Sequence, residues 1–134
     1  MRYVKQKHVN GCGIASLSMI TGIGYDRMMR VVAPKRIPGA KYGGTTLEQT
    51  LKALSKLRIK YRMIFQRINL NRLKNDAYIS ISQSCGCRHA IVWDAKAKRL
   101  VDPDSGPDHN GKNIVFTKAY VKKHMNFIVE IIPS

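Results

Sequence analysis

Acidic side chains are scarce in this sequence: 8 Asp and Glu stand against 24 Lys and Arg, for a formal net charge of +16 over 134 residues. Such a field draws a chain toward polyanions, whether nucleic acid, an acidic protein or an anionic surface, and carries no information about fold. Aromatic residues are also few, at 7%. They offer no evident platform for stacking bases, and no nucleic-acid-binding module accompanies the charge. The three cysteines are too few, and odd in number, for a disulfide framework; they fit a reducing compartment in which a thiol stays free. No stretch approaches the roughly 18 to 20 apolar residues of a membrane span, and Met1 to His8 lacks the apolar core of a secretory signal. The expectation is a protein with no membrane span, acting in the cytoplasm of a bacterium or of a cell infected by a phage. Repeats, low-complexity tracts and linkers are missing too. With 44% apolar and 24% charged residues, the chain is expected to fold as a single domain over residues 1–134.

Periodicity divides the chain in two. The first half reads as helical: Cys12 to Ile20, with Ala15, Leu17, Met19 and Ile20 set to pack, ends at Gly22 and Gly24. A second helix begins near Asp26 and stops before Pro34. Lys35 to Gly44 reads as loop. Thr45 and Glu48 have capping-box spacing ahead of a third helix carrying Leu47, Leu51 and Leu54 at i, i+4 and i+7. From Ile59 onward β-branched and aromatic residues predict strands at Ile59 to Phe65, Ala77 to Ser82, His89 to Asp94, Arg99 to Asp102 and Phe127 to Ile132. Short helices are expected at Leu70 to Lys74 and Lys118 to His124. Helices first and strands afterwards imply an α+β fold, a helical layer packed on a mostly antiparallel sheet. In the first strand Arg58, Lys60 and Arg62 alternate with Ile59, Tyr61 and Met63, which predicts one solvated basic face.

The segment richest in chemistry is Gln6-Lys7-His8-Val9-Asn10-Gly11-Cys12-Gly13-Ile14-Ala15. A Cys at the start of a helix has its thiolate stabilised by first-turn N–H groups and the helix dipole, and further by a nearby His⁺; together these lower a thiol pKa from about 8.5 to roughly 3.5–7.5. Flanking glycines let the backbone turn and a substrate carbonyl approach. Gln6, six positions ahead, is placed to return its amide beside the Cys12 N–H as a second oxyanion donor.

Gln6, Cys12-Gly13, Ala15, His89 and Asp102-Pro103 resemble, in order and over nearly the whole chain, the motifs of papain-like cysteine peptidases, and most of all the peptidase domains that remove double-glycine leaders from bacteriocin precursors. The resemblance implies a papain-like fold with Cys12 as nucleophile, His89 as general base, Asp102 orienting the imidazole and Gln6 as oxyanion donor. No residue here marks a leader-binding groove, so the substrate is not carried over.

Counting tests the hairpin. If Ala95-Lys96 forms a two-residue turn, Asp94 pairs with Ala97 and His89 falls directly opposite Asp102, within hydrogen-bonding reach. Ala-Lys is a weak turn signal; a longer loop shifts the register and makes Asp104 the candidate, whereas Asp94 lies beside the turn, away from His89. His8, His109 and His124 read as surface residues. Cys85, Cys87 and His89, at i, i+2 and i+4, are a rival zinc set, but one Cys-x-Cys without a second ligand pair is poor spacing for zinc. A Cys85–Cys87 disulfide or redox role stays open. The expected chemistry is thiol-dependent hydrolysis of a peptide or related amide through an acyl-enzyme, with no metal and no cofactor. The same machinery serves a deamidase or acyltransferase. A scaffold that binds an acidic protein or nucleic acid with little turnover is the alternative from another class.

Overall fold

The computed structural model describes residues 1–83, 86–104, 106–107 (backbone only) and 116–133. Three helices come first, α1 (Cys12–Thr21), α2 (Tyr25–Val32) and α3 (Leu47–Lys56). They are followed by β1 (Tyr61–Ile64), a 3-10 turn (Leu70–Arg72), β2 (Ala77–Ser82), β3 (Arg88–Asp94), β4 (Arg99–Asp102), β5 (Gly106–Pro107), α4 (Lys118–His124) and β6 (Met125–Ile131). The strands form one sheet in the order β1-β6-β2-β3-β4-β5, with antiparallel pairing between neighbours. The α+β architecture expected from the sequence is therefore the one found.

Strand alternation sorts the apolar side chains into two cores. Tyr78, Ala90, Val92, Phe127 and Val129 face α1, α2 and α3, whereas Ile79, Ile81, Ile91, Trp93 and Ile128 face the other side with Phe116 and Val121. Helix α1 is buried from Gly13 to Ile20, as a helix apolar on all sides must be. Helix α2 instead buries one stripe, Tyr25, Met28, Met29 and Val32, at i, i+3, i+4 and i+7.

Two local expectations need correction. The capping box of α3 is built by Thr46 and Gln49, not by Thr45 and Glu48: Thr46 Oγ1 accepts from Gln49 N–H and the Gln49 side chain accepts from Thr46 N–H. Both pairs have the same spacing, so spacing alone does not choose. Thr45 is drawn off by Tyr42, whose hydroxyl hydrogen-bonds Thr45 Oγ1. Around β1 the alternation holds, with Arg58, Lys60 and Arg62 exposed and Ile59, Tyr61 and Met63 packed against the first core. Yet Arg62 is not merely solvated: its Nη2 lies 2.6 Å from Oε1 of Glu130, which is 2% exposed.

Candidate functional site

Cys12 is the first residue of α1, and Gly11, its N-cap, supplies no side chain to satisfy the first-turn N–H groups. Both flanking glycines are demanded by packing more than by backbone conformation. A Cβ at Gly11 would collide with the Tyr25 hydroxyl and lie 3.0 Å from His8 O; one at Gly13 would lie 2.8 Å from Thr45 Cβ. Half-buried and free, Cys12 carries a sulfur that accepts from Ala90 N–H at 3.5 Å and hydrogen-bonds the His89 ring.

His89 stands at the start of β3, and its Nε2 lies 2.9 Å from Oδ1 of Asp102 at the end of β4. With Nε2 so engaged, Nδ1 is the nitrogen that meets Cys12. Asp102 is 2% exposed, and its Oδ1 also accepts from Asp104 N–H at 2.9 Å. The His89 ring packs on Phe116 of the second core, 5.8 Å between centroids. Cys12 packs against the first core, so the pair joins the two faces where the sheet ends.

Each partner moves the other's titration. Burial alone would favour neutral His89, but the hydrogen bond it donates to Asp102, then that to Cys12, outweighs it and pushes the imidazole up to about 10. Burial likewise pushes the Cys12 thiol up, and the hydrogen bond and charge of His89, with the Ala90 and Gly13 N–H groups, pull it below its usual value. Both shifts favour the thiolate–imidazolium pair.

The hairpin register differs from the two-residue count. Asp94 pairs with Arg99, Trp93 with Leu100 and Val92 with Val101, so the connection is Ala95 to Lys98, with Lys98 at φ 52°. Continuing that register sets Asp102 opposite Ile91 and Asp104 opposite His89. Asp102 nevertheless meets His89, on the diagonal, while Asp104 contributes only its backbone N–H. A diagonal separation of about 7–8 Å is within the reach of an aromatic side chain, here the imidazole of His89.

Gln6 lies on the strap leading to Cys12. Its backbone N–H donates to Pro103 O at 3.0 Å, an oxygen that also accepts from the Tyr3 hydroxyl at 3.3 Å. The strap is thus tied to the turn that follows Asp102. The Gln6 side-chain Nε2 donates to His8 O at 3.0 Å and to Val9 O at 2.9 Å, bracing the loop beside the nucleophile. The Ala90 N–H and the Pro103 carbonyl are the contributors missed from sequence; both are main-chain groups, which residue type does not reveal.

Two histidines read as surface residues are packed. His8 is half-buried, its Nδ1 2.8 Å from Tyr25 Oη and its Nε2 3.2 Å from Arg36 Nη2. Because a guanidinium only donates, Nε2 accepts and Nδ1 carries the proton. His124 is half-buried with its ring 4.2 Å from that of Tyr120. His109 and Cys85 lie outside the described residues. Cys87 is disulfide-bonded, and His89 is hydrogen-bonded to Asp102 and Cys12.

Cys12 and His89 open onto a groove of about 540 Å³ whose walls include Val9, Gly43, Gly44, Gln83 and Phe127. Among the described residues no helix is long and apolar enough to cross a membrane.

No protein-family model matches the sequence, and no curated protein does. Solved structures do. The peptidase domain of Streptococcus ComA, a bifunctional ABC transporter of a quorum-sensing pathway, superposes with a TM-score of 0.73 at 17% identity, covering 99% of this chain and 100% of that one. The peptidase domain of Streptococcus mutans ComA gives 0.68 at 17% over the same shares. A double glycine motif protease from an AMS/PCAT transporter, solved with its leader peptide, gives 0.64 at 16%, covering 99% and 91%. At such identity the likeness establishes the fold: this chain has the α+β papain-like fold of the double-glycine peptidase domains, the group that Gln6, Cys12-Gly13, His89 and Asp102-Pro103 resemble.

Proposed function

We propose that this protein is a cysteine peptidase, acting in the cytoplasm, that hydrolyses a peptide bond through an acyl-enzyme on Cys12. The observation that carries the reading is the relay from Asp102 Oδ1 to His89 Nε2, 2.9 Å, and from the same ring to the Cys12 sulfur at the mouth of a groove.

The thiolate of Cys12 attacks the carbonyl carbon, forming a C–S bond and an oxyanion. The main-chain N–H at the start of α1 and the Nε2 of Gln6 are the donors for that oxyanion. Gln6 assumes this role by releasing one of the two carbonyls it braces, His8 O or Val9 O. Protonated His89 then delivers its Nδ1 proton to the amide nitrogen, the C–N bond breaks and the amine leaves. Water enters, gives its proton to Nδ1 as its oxygen bonds the acyl carbon, and the C–S bond breaks to return thiolate. Asp102 holds the ring through Nε2 and favours its charged form throughout. The chemistry uses no cofactor.

The test is hydrolysis of a peptide library by the wild-type chain, with the masses of Cys12 peptides followed during turnover. Acylation at Cys12, and loss of cleavage in Cys12→Ala and His89→Ala proteins that remain folded, is the expected result. Cleavage that survives Cys12→Ala sinks the proposal.

A further inference from the structure

Next to the candidate active groove lies a second cavity, of about 630 Å³, between the C-terminal end of α2 and the outer face of α3. Among the described residues its wall carries five cations, Lys35, Arg36, Lys41, Lys52 and Lys56, and a single carboxylate, Glu48. None of the five takes part in an ion pair among the described residues, where the pairs are Lys7–Asp26, Arg62–Glu130, His89–Asp102 and Arg99–Asp94. Lys52 and Lys56 stand one turn apart on α3, a like-charge spacing that Glu48, one turn before Lys52, offsets only in part and that a bound anion would relieve further. Arg36 is held in place by Ala40 O at 3.0 Å and by His8, and its buried Nε has no partner.

The cavity adjoins the site. Gly43, Gly44 and Thr46 form part of both walls. Arg36 also reaches the nucleophile loop directly, because the His8 it contacts gives its carbonyl to Gln6 Nε2 and to Gly11 N–H.

We propose that this cavity binds an acidic segment of the peptide substrate, Asp or Glu side chains lying to one side of the scissile bond, while the bond itself enters the groove at Cys12. The inference rests on the peptidase reading for its substrate, and its ligand chemistry rests on the cavity alone. A peptide is favoured over a nucleic acid because the shared wall runs to a nucleophile suited to carbonyl attack and because, among the described residues, no aromatic side chain beyond Tyr42 lines the cavity.

The experiment compares fluorogenic peptides with one common cleavable core and a neutral flank, an acidic N-terminal flank or an acidic C-terminal flank. One acidic flank is expected to raise kcat/KM about tenfold over the neutral peptide at 50 mM salt, with the advantage shrinking as salt rises. In Lys52→Glu/Lys56→Glu protein the acidic-to-neutral ratio should fall to about one or below. Arg67→Glu/Lys122→Glu protein, with the same change in net charge on exposed residues outside the cavity, should keep it. A ratio of one for both flanks at all salt concentrations, or equal loss in the two double variants, overturns the inference while leaving the peptidase reading intact. If no peptide is cleaved, that reading fails instead, and fluorescence anisotropy of the labelled acidic peptides decides the cavity: binding lost only in the Lys52/Lys56 variant supports it, and binding equally lost or absent overturns it. Tighter binding of a single-stranded oligonucleotide, lost in the same variant, reassigns the cavity to nucleic acid and also overturns it.

Discussion

Asp102 reaches His89 across the diagonal of the β3–β4 hairpin, Oδ1 to Nε2 at 2.9 Å, and not from the position directly opposite. The position opposite belongs, by continuation of the ladder, to Asp104, whose N–H instead supports the Asp102 carboxylate.

Asp102→Asn is therefore expected to lower kcat/KM on the order of 10²-fold, since the ring loses the charge that favours imidazolium but keeps a neighbour able to hold it. Asp104→Asn should have little effect, because only its main chain is used. Kinetics of the two variants on one peptide check this, and the reverse order would assign the orienting role to Asp104.

Gly11 is crowded by the Tyr25 hydroxyl, which is itself bonded to His8 Nδ1. Gly11→Ala should cost about 1–3 kcal/mol of stability, the usual range for overpacking. Adding Tyr25→Phe removes the obstructing oxygen and should recover part of that loss. Thermal melts of the single and double variants check it; simple additivity would mean the hydroxyl is not the cause.

Arg62→Ala leaves the carboxylate of Glu130 with the longer hydrogen bonds from Asn75, N–H at 3.3 Å and Nδ2 at 3.5 Å against 2.6 Å from Arg62. Water replaces much of what Arg62 gives, since its side chain is 62% exposed, so a loss of about 1 kcal/mol is expected. Arg58→Ala, which removes no ion pair among the described residues, should be close to neutral. Urea melts of both variants compare them directly.

Much of this molecule was legible in the sequence because its signals are local. The Ala77–Ser82 and Arg99–Asp102 strands and the Lys118–His124 helix coincide with expectation, each bounded by turn chemistry or a periodicity of its own. Residue type and order likewise brought Cys12, His89 and Asp102 forward. What escaped was set by tertiary choice. The hairpin register depends on a four-residue connection closed by Lys98 in a left-handed conformation and by Asp94 Oδ1 accepting from Ala97 N–H at 3.3 Å, neither marked by a strong turn dipeptide. Thr45 and Thr46 are equivalent in spacing until Tyr42 claims one of them. The glycines beside Cys12 read as backbone freedom, yet Tyr25 and Thr45, distant in sequence, are what exclude a side chain there. Gln6 was read from sequence as an oxyanion donor, whereas its amide braces the His8 and Val9 carbonyls.

Cys12 and His89 share a thiolate–imidazolium pair in the proposed mechanism, and the rate of Cys12 alkylation by iodoacetamide as a function of pH, read by mass spectrometry, reports on that pair without need of a substrate. Cys12 is lowered, so its thiolate exists above a midpoint shifted down from the usual thiol range; His89 is raised, so the imidazolium persists up to about 10. Between those limits the pair is intact, the two midpoints belonging to the coupled system. The expected rate rises with a midpoint below the free-thiol value of about 8.5. In His89→Ala protein that midpoint should move upward, because burial of Cys12 is then opposed only by the Ala90 and Gly13 N–H groups. A wild-type midpoint at or above about 8.5, unmoved by His89→Ala, would contradict it.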